Sequence, residues 1–133
     1  MKTRVAIALS VVSILAMALA YGQSQAAMAR LDIPFKFMVG KTEMPAGKYE
    51  FARQAGQETS LLLRNLDTNK TTFVPVVERL AEMNPLEKHK ARVVFDTVGG
   101  EKFLSEFWPA DNEDGYLIGV TKGEEKHEVV TQN

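Results

Sequence analysis

A chain of 133 residues with 45% apolar and 25% charged side chains suits one ordinary globular domain and is too short for two. Its net charge of -1 leaves no basic surplus for nucleic acid and no acidic block of the kind that forms a disordered tail. The absence of cysteine removes disulfides, thiolate chemistry, cysteine metal sites and a lipidated N-terminal cysteine at once.

Residues 1–29 read as an export signal. Lys2 and Arg4 precede an almost unbroken apolar run from Val5 to Ala20, and small residues follow as far as Ala26 and Ala29. That is the order of a secretory signal peptide, and the run falls short of the roughly 20 apolar residues of a spanning helix. Cleavage is expected after Ala20, Ala26 or Ala29, leaving 30–133 as a single β domain with a charged C-terminal tail. Export without cysteine fits a bacterial periplasm or exterior, so the mature chain is expected to be secreted or periplasmic, with no membrane insertion after cleavage.

"LDIPFKFMVG" alternates, with Ile33, Phe35, Phe37 and Val39 on one side and Asp32, Pro34, Lys36 and Met38 on the other. Period two predicts a half-buried strand, and Pro34, which has no N–H, places it at an edge. In "MPAG" the proline and glycine suit the second and fourth positions of a type I turn, leading into the strand "KYEFAR". Gly56 pivots the next turn. "TSLLLRNL" and "TTFVPVVE" then pair across a loop at 67–70, with Leu66 opposite Thr71 and Leu62 opposite Pro75. That register gives Leu61, Leu63, Val74 and Val76 to the core and sets Arg64 against Phe73 on the other face. Over 77–89 the helical spacing of Val76, Leu80 and Met83 predicts a short turn of helix or a loop that stops before Pro85.

"ARVVFDTVGGEKFLSEFW" is a hairpin signature, two β-rich runs around Gly99-Gly100. Counting outward, one face pairs Val98 with Glu101, Asp96 with Phe103, Val94 with Ser105 and Arg92 with Phe107. The other pairs Thr97 with Lys102, Phe95 with Leu104, Val93 with Glu106 and Ala91 with Trp108, and reads as core apart from Glu106. "PADNEDG" is an acidic loop, "YLIGV" a last short strand, and "TKGEEKHEVVTQN" a charged end that frays or forms a short helix. Six to eight short antiparallel strands in up-and-down order predict an all-β domain, a small sandwich or a partly open barrel.

The chemistry-bearing residues are sparse. The chain has no nucleophile elbow, no phosphate loop and no zinc spacing. "ADNEDG" fails as a calcium loop because Ala110 and Thr121 stand where carboxylates are needed. His89 and His127 are expected to be solvated, and no metal or cofactor is expected. Glu106, alone among apolar neighbours, could serve as a general acid only with a second carboxylate on its face, and the counted register puts Asp96 on the opposite one. The ligand-binding candidates are therefore Glu106, Arg92, Phe103 and Phe107, with Arg92 and Phe107 as a stacking pair. Phe103, Phe107 and Val94 would form an apolar patch away from the core. Two function classes follow. One is an exported, non-catalytic β module that binds a protein, a polymer or a small apolar ligand, in an oligomeric state left open. The other is a small hydrolase-like enzyme with Glu106 inside a barrel. An enclosed cavity holding Glu106 and another ionisable group would separate them.

"DIPFKFMVG" at Asp32–Gly40, "MPAGKYEF" at Met44–Phe51, "RVVF" at Arg92–Phe95 and "GGEKFLSEFW" at Gly99–Trp108 carry a resemblance. Together they resemble an uncharacterised family of small exported, β-rich bacterial proteins of the kind found in acidobacteria. The likeness covers most of the mature chain and rests on turn residues and core aromatics. It implies a β fold and brings no activity, cofactor or site residue. Such proteins often finish in a basic, helix-like stretch, whereas this chain ends in mixed charge.

Overall fold

The computed structural model describes residues 25–84, 86, 88–111, 113–119 and 126–133; most of the segment expected to be an export signal, residues 1–24, lies outside them. The described residues form eleven strands and no helix. A smaller sheet has the order β1-β4-β5-β6, from Gln25–Ile33, Gly47–Gln54, Ser60–Asn65 and Thr71–Pro75. The larger sheet runs β11-β8-β9-β10-β7, from Lys126–Thr131, Arg92–Val98, Glu101–Trp108, Gly115–Leu117 and Glu78–Leu80. Two short strands, β2 (Phe37–Val39) and β3 (Thr42–Met44), pair with each other, and β2 also pairs with β9. The sheets pack as a β-sandwich and do not close into a barrel.

Prolines explain why the strand count exceeds six to eight and why the order is no simple meander. The alternating run 31–39 is divided between the sheets. Pro34 cannot donate to a ladder, and the pairing of β1 with β4 ends at Ile33 opposite Gly47. Leu31 and Ile33 point inward from one sheet, and Phe37 and Val39 from the other. At the corner Phe35 sits edge-on to Phe95, with ring centroids 4.9 Å apart. The chain returns to the smaller sheet at Pro45-Ala46 and crosses again between β6 and β7. The single bridge from β2 to β9, Met38 opposite Phe103, is parallel, which an all-antiparallel reading did not anticipate.

The β5–β6 hairpin closes one residue earlier on each strand than expected. Asn65 sets the closure. Its Oδ1 accepts hydrogen bonds from the N–H groups of Asp67 (2.8 Å) and Thr68 (3.1 Å), and its own N–H donates to the Lys70 carbonyl. Asn69 takes a φ of 61° to complete the turn. The pairs become Leu62 with Phe73 and Leu61 with Val74. This register differs from the counted one by two, so no side chain changes face. Leu61, Leu63 and Val74 are buried as expected, and Phe73 is exposed opposite Leu62 rather than Arg64.

The β8–β9 hairpin departs in the opposite manner. Gly99 and Gly100 have φ of 58° and 82°, the two positive values of a type I′ turn, and the counted register holds as far as Phe95 opposite Leu104. There β9 bulges. The Ser105 carbonyl accepts from the N–H groups of Ile118 (2.7 Å) and Gly119 (3.3 Å), which turns this residue away from β8. Beyond it Val94 pairs with Glu106, Val93 with Phe107 and Arg92 with Trp108. A shift of one inverts the faces. Glu106 moves out of the apolar face, and Phe107 enters the core, fully buried and stacked on Phe51 with centroids 4.1 Å apart and planes 6° apart.

Two further expectations are corrected. Within 77–89 there is a strand, β7, paired through Arg79 opposite Tyr116; the Val77 N–H donates to the Leu117 carbonyl, so the backbone is committed to a sheet rather than a helical turn. The charged end contains β11, laid along β8 from Lys126 opposite Thr97 to Thr131 opposite Arg92. At the other end β1 begins at Gln25, upstream of residue 30. Ala26 and Ala27 already pair with Arg53 and Ala52, and Ala29 is buried.

Candidate functional site

The outer face of the larger sheet carries most of the side chains singled out from the sequence. Cross-strand register arranges them in three rows. The first is Thr131, Arg92 and Trp108; the second Val129, Val94, Glu106 and Leu117; the third His127, Asp96, Phe103 and Met38. Glu106, Arg92 and Phe103 stand here, half-buried. Phe107 does not, because the bulge at Ser105 sends it inward. The expected Arg92–Phe107 pair is replaced by Arg92 over Trp108, its guanidinium carbon 4.8 Å from the ring centroid. The indole also lies against Gly115, where an added Cβ would come within 2.6 Å of the ring. Trp108, which the counted register assigns to the core, is a half-exposed surface group because the same bulge exchanges it with Phe107.

The bulge also brings Glu106 and Asp96 to one face. Asp96 meets a histidine there. Asp96 is only 3% exposed, and His127 Nδ1 lies 2.6 Å from its Oδ1. The two residues face each other directly across β8 and β11. His127 is thus held by a buried carboxylate, although its own side chain is 64% exposed. His89 is not simply solvated either. Its Nε2 is 2.8 Å from Glu82 Oε2, and its Nδ1–H donates to the Lys90 carbonyl at 3.0 Å. The Asn84 N–H on Glu82, then the charge of His89, holds the Glu82 carboxyl below its usual range against the opposing effect of burial. No local spacing announces either contact; Asp96 and His127 are 31 residues apart.

An aspartate that orients a histidine through Nδ1 is half of a proton relay, and a relay needs a cleft that holds a substrate. Four clefts built from described residues lie elsewhere: beside Arg30 and Lys48, beside Lys36 and Lys102, between β1 and the β9–β10 loop, and around Arg53 and Arg79. Glu106, Asp96 and His127 line none of these. The face itself is mixed. Val129 is 54% exposed, Phe103, Met38, Leu117 and Trp108 are half-exposed, and Glu106, Arg92 and His127 interrupt them. No family model, curated protein or solved structure matches the chain. Function has to be read from the surface chemistry alone.

Proposed function

We propose that this chain is an exported, non-catalytic β-sandwich that binds a protein partner in the periplasm or cell envelope through the outer face of its larger sheet. The observation that carries the reading is the run of half-exposed Met38, Phe103, Leu117 and exposed Val129 among charged groups on one open sheet. Protein interfaces are similarly mixed, with apolar and aromatic side chains standing among polar and charged ones. The competing hydrolase reading needs Glu106 inside a barrel, and Glu106 faces outward from an open sandwich. For export, the pairing of Ala26 and Ala27 with β4 favours cleavage upstream of Gln25 over cleavage after Ala29. N-terminal sequencing of the exported chain checks this: a first residue at or before Gln25 is expected, and a chain beginning at Arg30 counts against it.

The binding reading is tested by capture from the envelope fraction of the native cell with three tagged chains. They are the wild type, Val129→Glu on the proposed face, and Phe73→Glu on the outer face of the smaller sheet, where the side chain is 60% exposed. A species retained by the wild type and by Phe73→Glu and lost by Val129→Glu is the expected result. Equal retention by all three, or retention of nothing, overturns it.

A further inference from the structure

A cleft of about 360 Å³ separates the first residues of β1 from the loop that joins β9 to β10. One wall consists of residues 26–28 with Arg53 of the neighbouring β4; the other is the loop, with Ala110, Asp111 and Glu113. A cation and two carboxylates therefore line one cleft together with apolar residues. They do not neutralise each other: no ion pair joins Arg53, Asp111 or Glu113 to any described residue. Glu58 shares a second, smaller recess with Arg53 and is not ion-paired with it either.

Both walls are fixed. Arg53 Nη2 donates to the Tyr116 hydroxyl at 3.0 Å, and Tyr116 is itself buried, with the Arg79 guanidinium 4.4 Å from its ring centroid. One branch of the guanidinium is thereby anchored while the side chain lines the cleft. On the other wall, Asp111 is tied by its backbone to His89, donating at 2.6 Å and accepting at 3.1 Å, and is held at a φ of 68°.

We propose that this cleft binds a small zwitterion of about dipeptide size. Its carboxylate would sit on Arg53, its ammonium between Asp111 and Glu113, and its apolar body against residues 26–28 and Ala110. A planar guanidinium matches a carboxylate with two parallel hydrogen bonds. The cleft volume lies within the usual range for small-ligand sites, about 300–1,000 Å³. The site shares no residue with the proposed partner face, so either can fail alone.

The test uses the full chain and three ligands that differ in which terminus is charged: alanyl-leucine, its N-acetyl derivative and its C-terminal amide. Amide chemical shifts of Ala27 and Ala110 report occupancy. The dipeptide is expected to bind more tightly than either neutralised form by about tenfold or more, the usual worth of a hydrogen bond to a charged group. Arg53→Ala should abolish the preference for dipeptide over amide, and Glu113→Gln should weaken the preference for dipeptide over the acetylated form. Tyr116→Phe, which removes the anchor on Arg53 and keeps the ring, should reduce the first preference and spare the second. Equal affinities for the three ligands, or unchanged shifts at Ala27 and Ala110 under saturating dipeptide, overturn the proposal. Glu113 is exposed on a loop, so its variant keeps the test decisive if Arg53→Ala does not fold.

Discussion

The two long hairpins place their irregularity differently. In β5–β6 it lies in the loop, where Asn65 gathers two backbone N–H groups and moves the closure point on both strands together. In β8–β9 the turn is regular and the irregularity lies within a strand, where Ser105 bonds to Ile118 and Gly119. A loop that moves both strands leaves inside and outside unchanged. A bulge in one strand exchanges them from that point on, and here it sends Phe107 inward and Glu106 outward.

Deleting Ser105 attacks that contrast most directly. It removes the extra residue and leaves Glu106 opposite Val94 and Phe107 opposite Val93, so the faces are kept and a cooperative melt by circular dichroism is expected, at a stability lowered by the loss of the carbonyl that Ile118 and Gly119 use, about 1–3 kcal/mol for each N–H. Loss of the cooperative melt would show that the Ser105 contacts, and not the pairing beyond them, hold Phe107 in the core. Next in size is Phe107→Ala, which should cost about 3–5 kcal/mol in urea unfolding because a fully buried ring stacked on Phe51 is removed. Phe103→Ala, half-buried on the outer face, should cost clearly less, and near-equal losses would contradict the inversion. On the other hairpin, Asn65→Ala leaves two turn N–H groups without their acceptor and should cost about 1–3 kcal/mol, with the core of the smaller sheet intact by near-ultraviolet dichroism.

The smallest effect concerns Tyr49, which connects that turn to the Pro45 corner. Its hydroxyl donates to the Pro45 carbonyl at 2.6 Å and accepts from Asn65 Nδ2 at 3.2 Å. Burial raises the phenol above its usual range, the Asn65 bond opposes this and the charge of Asp67 adds to it. The folded state thus holds this proton more tightly than the unfolded chain. The associated stability is fully present below a pH of about 10 and is lost as pH rises through the raised folded value. Tyr49→Phe should flatten the alkaline limb of stability above a pH of about 10, and an unchanged slope would assign that limb to other groups.

Much of the architecture was legible because period-two alternation survives every rearrangement. The strands around Leu61 and Leu63, the Gly99-Gly100 turn and the all-β class follow from local pattern. The bulge was not legible, since the groups that hold Ser105 belong to a later segment. It did leave a trace: Glu106 counted onto an apolar face was a conflict, and a one-residue shift resolves it. Of the candidate site, Glu106, Arg92 and Phe103 were placed on a common surface or brought to one, while Trp108 and the Asp96–His127 contact depend on strands that meet only in the folded sheet.

β11 is the most C-terminal of the described strands, and it borders the larger sheet beside β8 and next to β1. Because ribosomes deliver chains N-terminus first, β8 waits with bare N–H and C=O groups until Lys126–Thr131 emerge. A truncated product would offer that naked margin to other strands and tend to aggregate. Until β11 is in place the larger sheet stays unlatched along β8, open to whichever strand reaches that margin first.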